Sequence, residues 1–173
     1  MQMDQATRKA ALERLNVFIG EWRMEASFPL AAPASIAGRV VVGRALFEWE
    51  LGGQFLTQYE EFPDPDVPDS SAIIGFDPDS QAYTQHYFDS RGVARVYAMT
   101  LSKDVWTLLR ETPDFTPLDF SQRFTGTFSD DDKTIASHWE SRSDASSWKH
   151  DFDLTYTKAT YPSLLNHGEG EVK

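Results

Sequence analysis

The side chains in this sequence best suited to hold or change a small molecule are two histidines, one arginine and a group of large aromatics. His150 lies on the apolar face of an alternating stretch and His86 in a strand of poorer alternation, and imidazole is the side chain that can give or take a proton near pH 7. Arg110 shares an alternating face with Trp106 and Leu108, so its guanidinium needs either a protein carboxylate or an anionic ligand. Glu111 and Asp119 are the nearest candidates for the first role. Trp22, Trp49, Tyr59 and Trp106 each fall on the apolar side of an alternating run, where a ring either packs a core or stacks on a ligand. His138 shares a face with Glu140 and Arg142 and is expected in solvent, and His167 sits in a polar tail. The alternation around His86 is poor, because Tyr83, Tyr87 and Phe88 do not share one face, so its direction is left open.

Other chemistries fail on spacing. The sequence has no His-Glu-x-x-His, no Gly-x-Ser-x-Gly and no glycine-rich phosphate loop after a strand. Asp64, Asp66 and Asp69 lack the glycine and terminal glutamate of a calcium loop, and Asp130 to Asp132 fit a hairpin tip, so no metal site is expected. The absence of cysteine excludes disulfides, zinc-thiolate sites, iron–sulfur clusters and thiol catalysis. With 16 Lys and Arg against 27 Asp and Glu, the net charge of -11 disfavours nucleic acid and anionic membrane as partners. No apolar run approaches the roughly 20 residues of a membrane span, and the first residues lack an apolar signal core, so a cytoplasmic protein is expected.

The elements that must position these residues are almost all strands. Residues 4–18 carry the one helical pattern, with Asp4 as a cap and Ala11, Leu15 and Phe18 on one face. Ten strands are predicted after it: 20–28, 38–51, 54–61, 71–77, 82–89, 93–101, 105–111, 120–128, 133–142 and 147–157. The length of 173 residues suits one domain, expected over 1–158 with a tail at 159–173 that forms a packed turn and then frays.

The spacing predicts an all-β, up-and-down antiparallel barrel with a short N-terminal helix. Successive links in such a barrel alternate between its two ends. The links after strands two, four, six and eight are short, whereas Pro29 to Ala37, Phe62 to Ser70 and Thr112 to Asp119 are long and proline-bearing and fall at the other end. One end is then a floor, which the helix could plug, and the other a mouth.

Parity assigns the inward faces. They are Trp22, Met24, Ala26 and Phe28 in the first strand, and Ala45, Phe47, Trp49 and Leu51 in the second. In the third they are Phe55, Thr57 and Tyr59, and in the tenth Trp148, His150, Phe152, Leu154 and Tyr156.

Gly20-Glu21-Trp22 opening the first strand is similar to the G-x-W signature of the calycins, in which the tryptophan packs across the closed end. The segments Phe47 to Leu56, Gly75 to Pro78 and Phe88 to Ser90 with Gly92 resemble a bacterial family of lipocalin-like domains related to the nitrobindins and fatty-acid-binding proteins. The resemblance covers about residues 12–158 and implies a ten-stranded barrel around a cavity. It brings no activity. The nitrobindin branch holds haem through a histidine in its last strand, near an ending similar to Leu154-Thr155-Tyr156; counted back from there, that position falls on Asp151, with His150 one residue off. Haem is therefore not the expected cofactor.

Three readings follow. The first is a carrier or sensor for a small apolar or aromatic molecule, with Trp22, Trp49, Tyr59, His86, Trp106, Arg110 and His150 as candidate ligand contacts. The second is an enzyme using His150 or His86, or a haem protein. The third is a plugged barrel that forms a homodimer through an outer face carrying Leu46 and Leu56.

Overall fold

A computed structural model describes residues 2–144 and 147–160. The chain opens with α1 (Gln2–Arg14) and a 3-10 turn (Leu15–Phe18). Ten strands follow: β1 (Gly20–Ser27), β2 (Val40–Glu50), β3 (Phe55–Glu61), β4 (Ser70–Asp77), β5 (Ala82–Asp89), β6 (Ala94–Ser102), β7 (Val105–Arg110), β8 (Ser121–Phe128), β9 (Thr134–Arg142) and β10 (Lys149–Lys158). Every neighbour in sequence pairs antiparallel, and β1 closes on β10, giving a ten-stranded barrel without a free edge. This is the predicted fold, with strand ends moved by at most two residues. The expected tail falls largely on 161–173, which with His167 lies outside the described residues.

The floor is built where the even-numbered strands end. Each tight turn there carries a left-handed residue: Leu51 with Gly52 and Gly53, then Gln81, Lys103 and Asp132. Such turns match the twist of the strands they join. The helix crosses beneath them. Ala11, Leu12, Leu15 and Phe18 are buried, and the Tyr83 hydroxyl donates to the Ala11 carbonyl at 2.7 Å. Arg14 donates to the carbonyl of Leu101. The helix begins at Gln2, so Asp4 lies inside it rather than capping it.

The Phe18 ring stands in the barrel's lower end, stacked on Phe47 at 5.3 Å and edge-on to Trp106 at 4.9 Å and Phe128 at 5.2 Å. Trp22 closes the same layer, and its indole N–H donates to the Phe18 carbonyl at 2.7 Å.

Two parity assignments are corrected. In β3 the buried positions are Leu56 and Gln58, with Glu60 in phase, while Tyr59 is 44% exposed. Phe55 lies over Gly75 on the outer wall, where a Cβ would come within 2.9 Å of its ring. The aromatics of β3 therefore cover the outside and its polar residues face in, the reverse of the usual pattern. Leu56 is fully buried, which removes it from the expected dimer face, and Leu51 is exposed in the β2–β3 turn. In β10 a bulge between His150 and Phe152 puts an extra residue, Asp151, into the strand. The parity inferred from Leu154 and Tyr156 fails beyond it, so His150 is exposed and Trp148 packs outside, with the guanidiniums of Arg123 and Arg142 each 4.5 Å from its ring.

Replacing Trp22, which is 1% exposed, by alanine removes a ring from the floor and a buried hydrogen bond. Chemical denaturation of Trp22→Ala should show a loss of about 3–5 kcal/mol. A loss under about 1 kcal/mol would mean that the floor does not depend on this ring.

Candidate functional site

Above the floor the barrel is hollow. A cavity of about 330 Å³ runs from Trp106, Leu108 and Phe124 up to the mouth, where Pro33, Ile36, Val67 and Phe120 of the long loops surround it. The loops are tied to one another. Arg39 bonds both Asp64 and Asp66, joining the 28–39 and 62–69 loops, and Asp69 bonds Ser90 of the β5–β6 turn through backbone and side chain. Glycine is required at Gly43 in β2, where a Cβ would meet the Glu61 carbonyl and the Phe62 ring at 2.5 Å, so Phe62 can fold over the rim.

One wall of the cavity is polar. Glu60 of β3 faces inward and accepts three hydrogen bonds: from the Tyr156 hydroxyl at 2.8 Å, from the Ser70 hydroxyl at 3.0 Å and from the Gln58 amide. Burial pushes its carboxyl above the usual carboxylate range, and those donors only partly offset the push. Burial and the facing Glu60 carboxylate push the Tyr156 phenol up as well. Gln58 and Gln85 are 5% and 3% exposed, and the side-chain oxygen of each has no protein partner; nor has the indole N–H of Trp106. Buried polar atoms are nearly always paired, so three unpaired ones around one cavity are notable. Asp151 also lines it, its carboxyl raised by burial against the pull of His150.

At the rim, Tyr87 donates to Asp89 at 3.0 Å. Burial alone would raise the Asp89 carboxyl, but the Arg91 guanidinium and backbone N–H, together with Tyr87, hold it below the usual range. Arg95 donates to Gln122 at 2.5 Å, and the same oxygen accepts from the Tyr97 hydroxyl at 2.8 Å.

Of the seven residues singled out from the sequence, Trp106 lines this cavity. Trp22 lies in the floor. Trp49 packs at the lower end, its indole donating to Asn16 at 2.8 Å. Tyr59 and His86 are on the outer wall. His150 is exposed too, 2.9 Å from an Asp153 oxygen.

Arg110 is buried, but it is engaged. Its guanidinium forks onto Asp114 at 2.7 and 3.0 Å and donates to the carbonyls of Phe120 and Pro117, both at 3.3 Å. The carboxylate partner is Asp114 rather than Glu111 or Asp119, and the group pins the 111–120 loop instead of facing a ligand. Sequence reasoning missed Gln58, Glu60 and Gln85; the signal that could have found them is that Leu56, Gln58 and Glu60 share one face.

Among the described residues no histidine lines the cavity, and the β10 residues that line it are Asp151, Phe152, Leu154 and Tyr156.

No protein-family model and no curated protein matches the sequence. Among solved structures, the crystal structure of Rv2717c from M. tuberculosis is similar, with a TM-score of 0.61 and 11% identity over 87% of this chain and 98% of that one. At that identity the likeness shows the barrel fold alone.

The Arg110–Asp114 pair sets an acid limit on stability. Arg110 hydrogen bonding holds the Asp114 carboxyl well below its ordinary 3.8, with burial opposing and the Val96 and Thr116 backbone N–H groups assisting. The stabilisation is therefore complete above pH 3.8 and is lost as the pH falls towards the folded-state value. Asp114→Asn should lower stability at pH 7 by about 3–5 kcal/mol, since it leaves a buried guanidinium unpaired. Urea titration of the parent protein should show stability falling below pH 3.8, and Asp114→Asn should flatten that fall.

Proposed function

We propose that this protein binds a small, mostly apolar or aromatic molecule inside its barrel. The observation that carries this reading is the 330 Å³ cavity, ringed by the long loops and carrying unpaired buried polar atoms on aromatic and aliphatic walls. Pockets for small molecules have this make-up: an apolar lining with a few convergent polar groups. A filled core would have closed the space and paired those atoms. The resemblance to lipocalin-like domains supports the same reading, since such barrels carry ligands in their interiors. A cavity histidine acting in acid–base catalysis loses its premise, because both candidate histidines are on the outer wall.

The test is direct. Native mass spectrometry of freshly purified protein should show a bound small molecule or a site that takes one apolar probe, 2-naphthalenemethanol. Quenching of Trp106 and Trp139, which line the cavity, should report the same stoichiometry. Ala72 lies in the cavity wall, so Ala72→Phe should fill space that the probe needs and weaken its binding about tenfold or more. Unchanged affinity in a folded Ala72→Phe protein would place the probe elsewhere.

A further inference from the structure

The charge on the polar wall of the cavity is incomplete. Arg110, the buried cation, has its own carboxylate, and each rim guanidinium is engaged, Arg91 with Asp89 and Arg95 with Gln122 and the Phe120 face. Glu60 has three partners, Gln58, Ser70 and Tyr156, and all are neutral. A half-buried carboxylate supported only by neutral donors is poorly compensated, and a cation beside it gains by pairing with it.

Two of the three unpaired atoms are acceptors. The Gln58 amide turns its N–H towards Glu60, which leaves its oxygen unpaired, and the Gln85 oxygen is unpaired as well. Gln58 of β3 lies opposite Ala72 of β4, and Gln85 of β5 lies opposite Ile74, the next inward residue along β4. Two strand spacings across and two residues along separate their backbones by about 12 Å, so both side chains can reach one group held over the small Ala72. Acceptors thus outnumber donors here, with Trp106 supplying the one indole N–H. Beside them Tyr87, Tyr97 and Trp139 meet edge to face at 6.2 and 5.5 Å, a lining that favours a cation over its ring faces. Asp151 adds a further carboxyl along the way in.

We propose that the cavity selects an organic amine with an aromatic or apolar body, its ammonium beside Glu60 and donating to the Gln58 and Gln85 oxygens. The inference rests on the cavity being a ligand site and adds the charge and polarity of the ligand. It reverses the preference for an acidic end group that an unpaired Arg110 would have given.

Three probes of one shape test it: 2-naphthylmethylamine, 2-naphthalenemethanol and 2-naphthoic acid, titrated at pH 7 and low salt. The amine should bind about tenfold or more tighter than the alcohol, and the acid weakest. Glu60→Gln should cost the amine about tenfold or more and the alcohol less than about threefold. Acid binding as tight as amine binding, or equal losses of amine and alcohol in Glu60→Gln, would overturn the proposal while leaving the cavity as a ligand site. If none of the three binds the parent protein, the ligand-site reading falls with it. The comparison on the parent protein decides the question even if Glu60→Gln does not fold.

Discussion

A ten-stranded barrel encloses more space than its own inward side chains can fill, and what is done with that space determines the rest of this molecule. The lower half is filled by one ring that does not come from the barrel at all. Phe18, carried in by the 3-10 turn that ends α1, occupies the gap between Phe47, Trp106 and Phe128. Without it those rings would border a void, and voids in a core cost stability in proportion to their size. The helix is thus a plug held by its own burial and by bonds to Leu101 and Trp49. Trp106, against which the plug packs, also lines the cavity, so the top of the plug and the bottom of the cavity share one ring.

The upper half stays open for a matching reason. Its loops are fixed in place around the rim: Arg39 ties two of them together, and Arg110 with Asp114 fixes a third. A bidentate guanidinium that also bonds two backbone carbonyls has little freedom left. The rim is therefore a preformed ring of loops around the opening, and the interior beneath it need not be filled by side chains from above.

How much of this was legible in the sequence depended on whether local pattern and global role agreed. They agreed for the barrel: turn residues recur where each strand ends, and parity put Trp22, Phe47, Trp106 and Leu108 inside, where they are. They disagreed at β3 and at the start of β10. In β3 the hydrophobic rule favours Phe55 and Tyr59 as the inward pair, but the cavity needs Gln58 and Glu60 inside, and the aromatics were displaced to cover Gly75 and the outer wall. In β10 one extra residue reversed the face of His150, and no residue type announces a bulge of that kind. Arg110 was read correctly as buried, and its partner was missed because Asp114 reaches it through the curl of the 111–120 loop rather than across a strand pair. The failures of simple patterning fall at the cavity wall and its rim, which is where a site that departs from core rules is expected to disturb them.

The contrast between Arg110 and Glu60 carries that point furthest. Both are ionisable groups taken out of water, and burial opposes the charged form of each. For Arg110 the fold supplies a carboxylate in bidentate contact, and the hydrogen bonding with it outweighs burial, so the pair is closed and has no capacity for a further partner. For Glu60 the fold supplies a phenol, a hydroxyl and an amide, enough to orient the carboxyl but not enough to cancel its burial. A purely structural role would be served as well by a neutral side chain of the same size, since buried ion-forming groups seldom repay their desolvation. A carboxyl held in place, half-buried at a cavity wall and short of a counter-charge is instead what a binding site requires, because the missing charge is then the ligand's to bring.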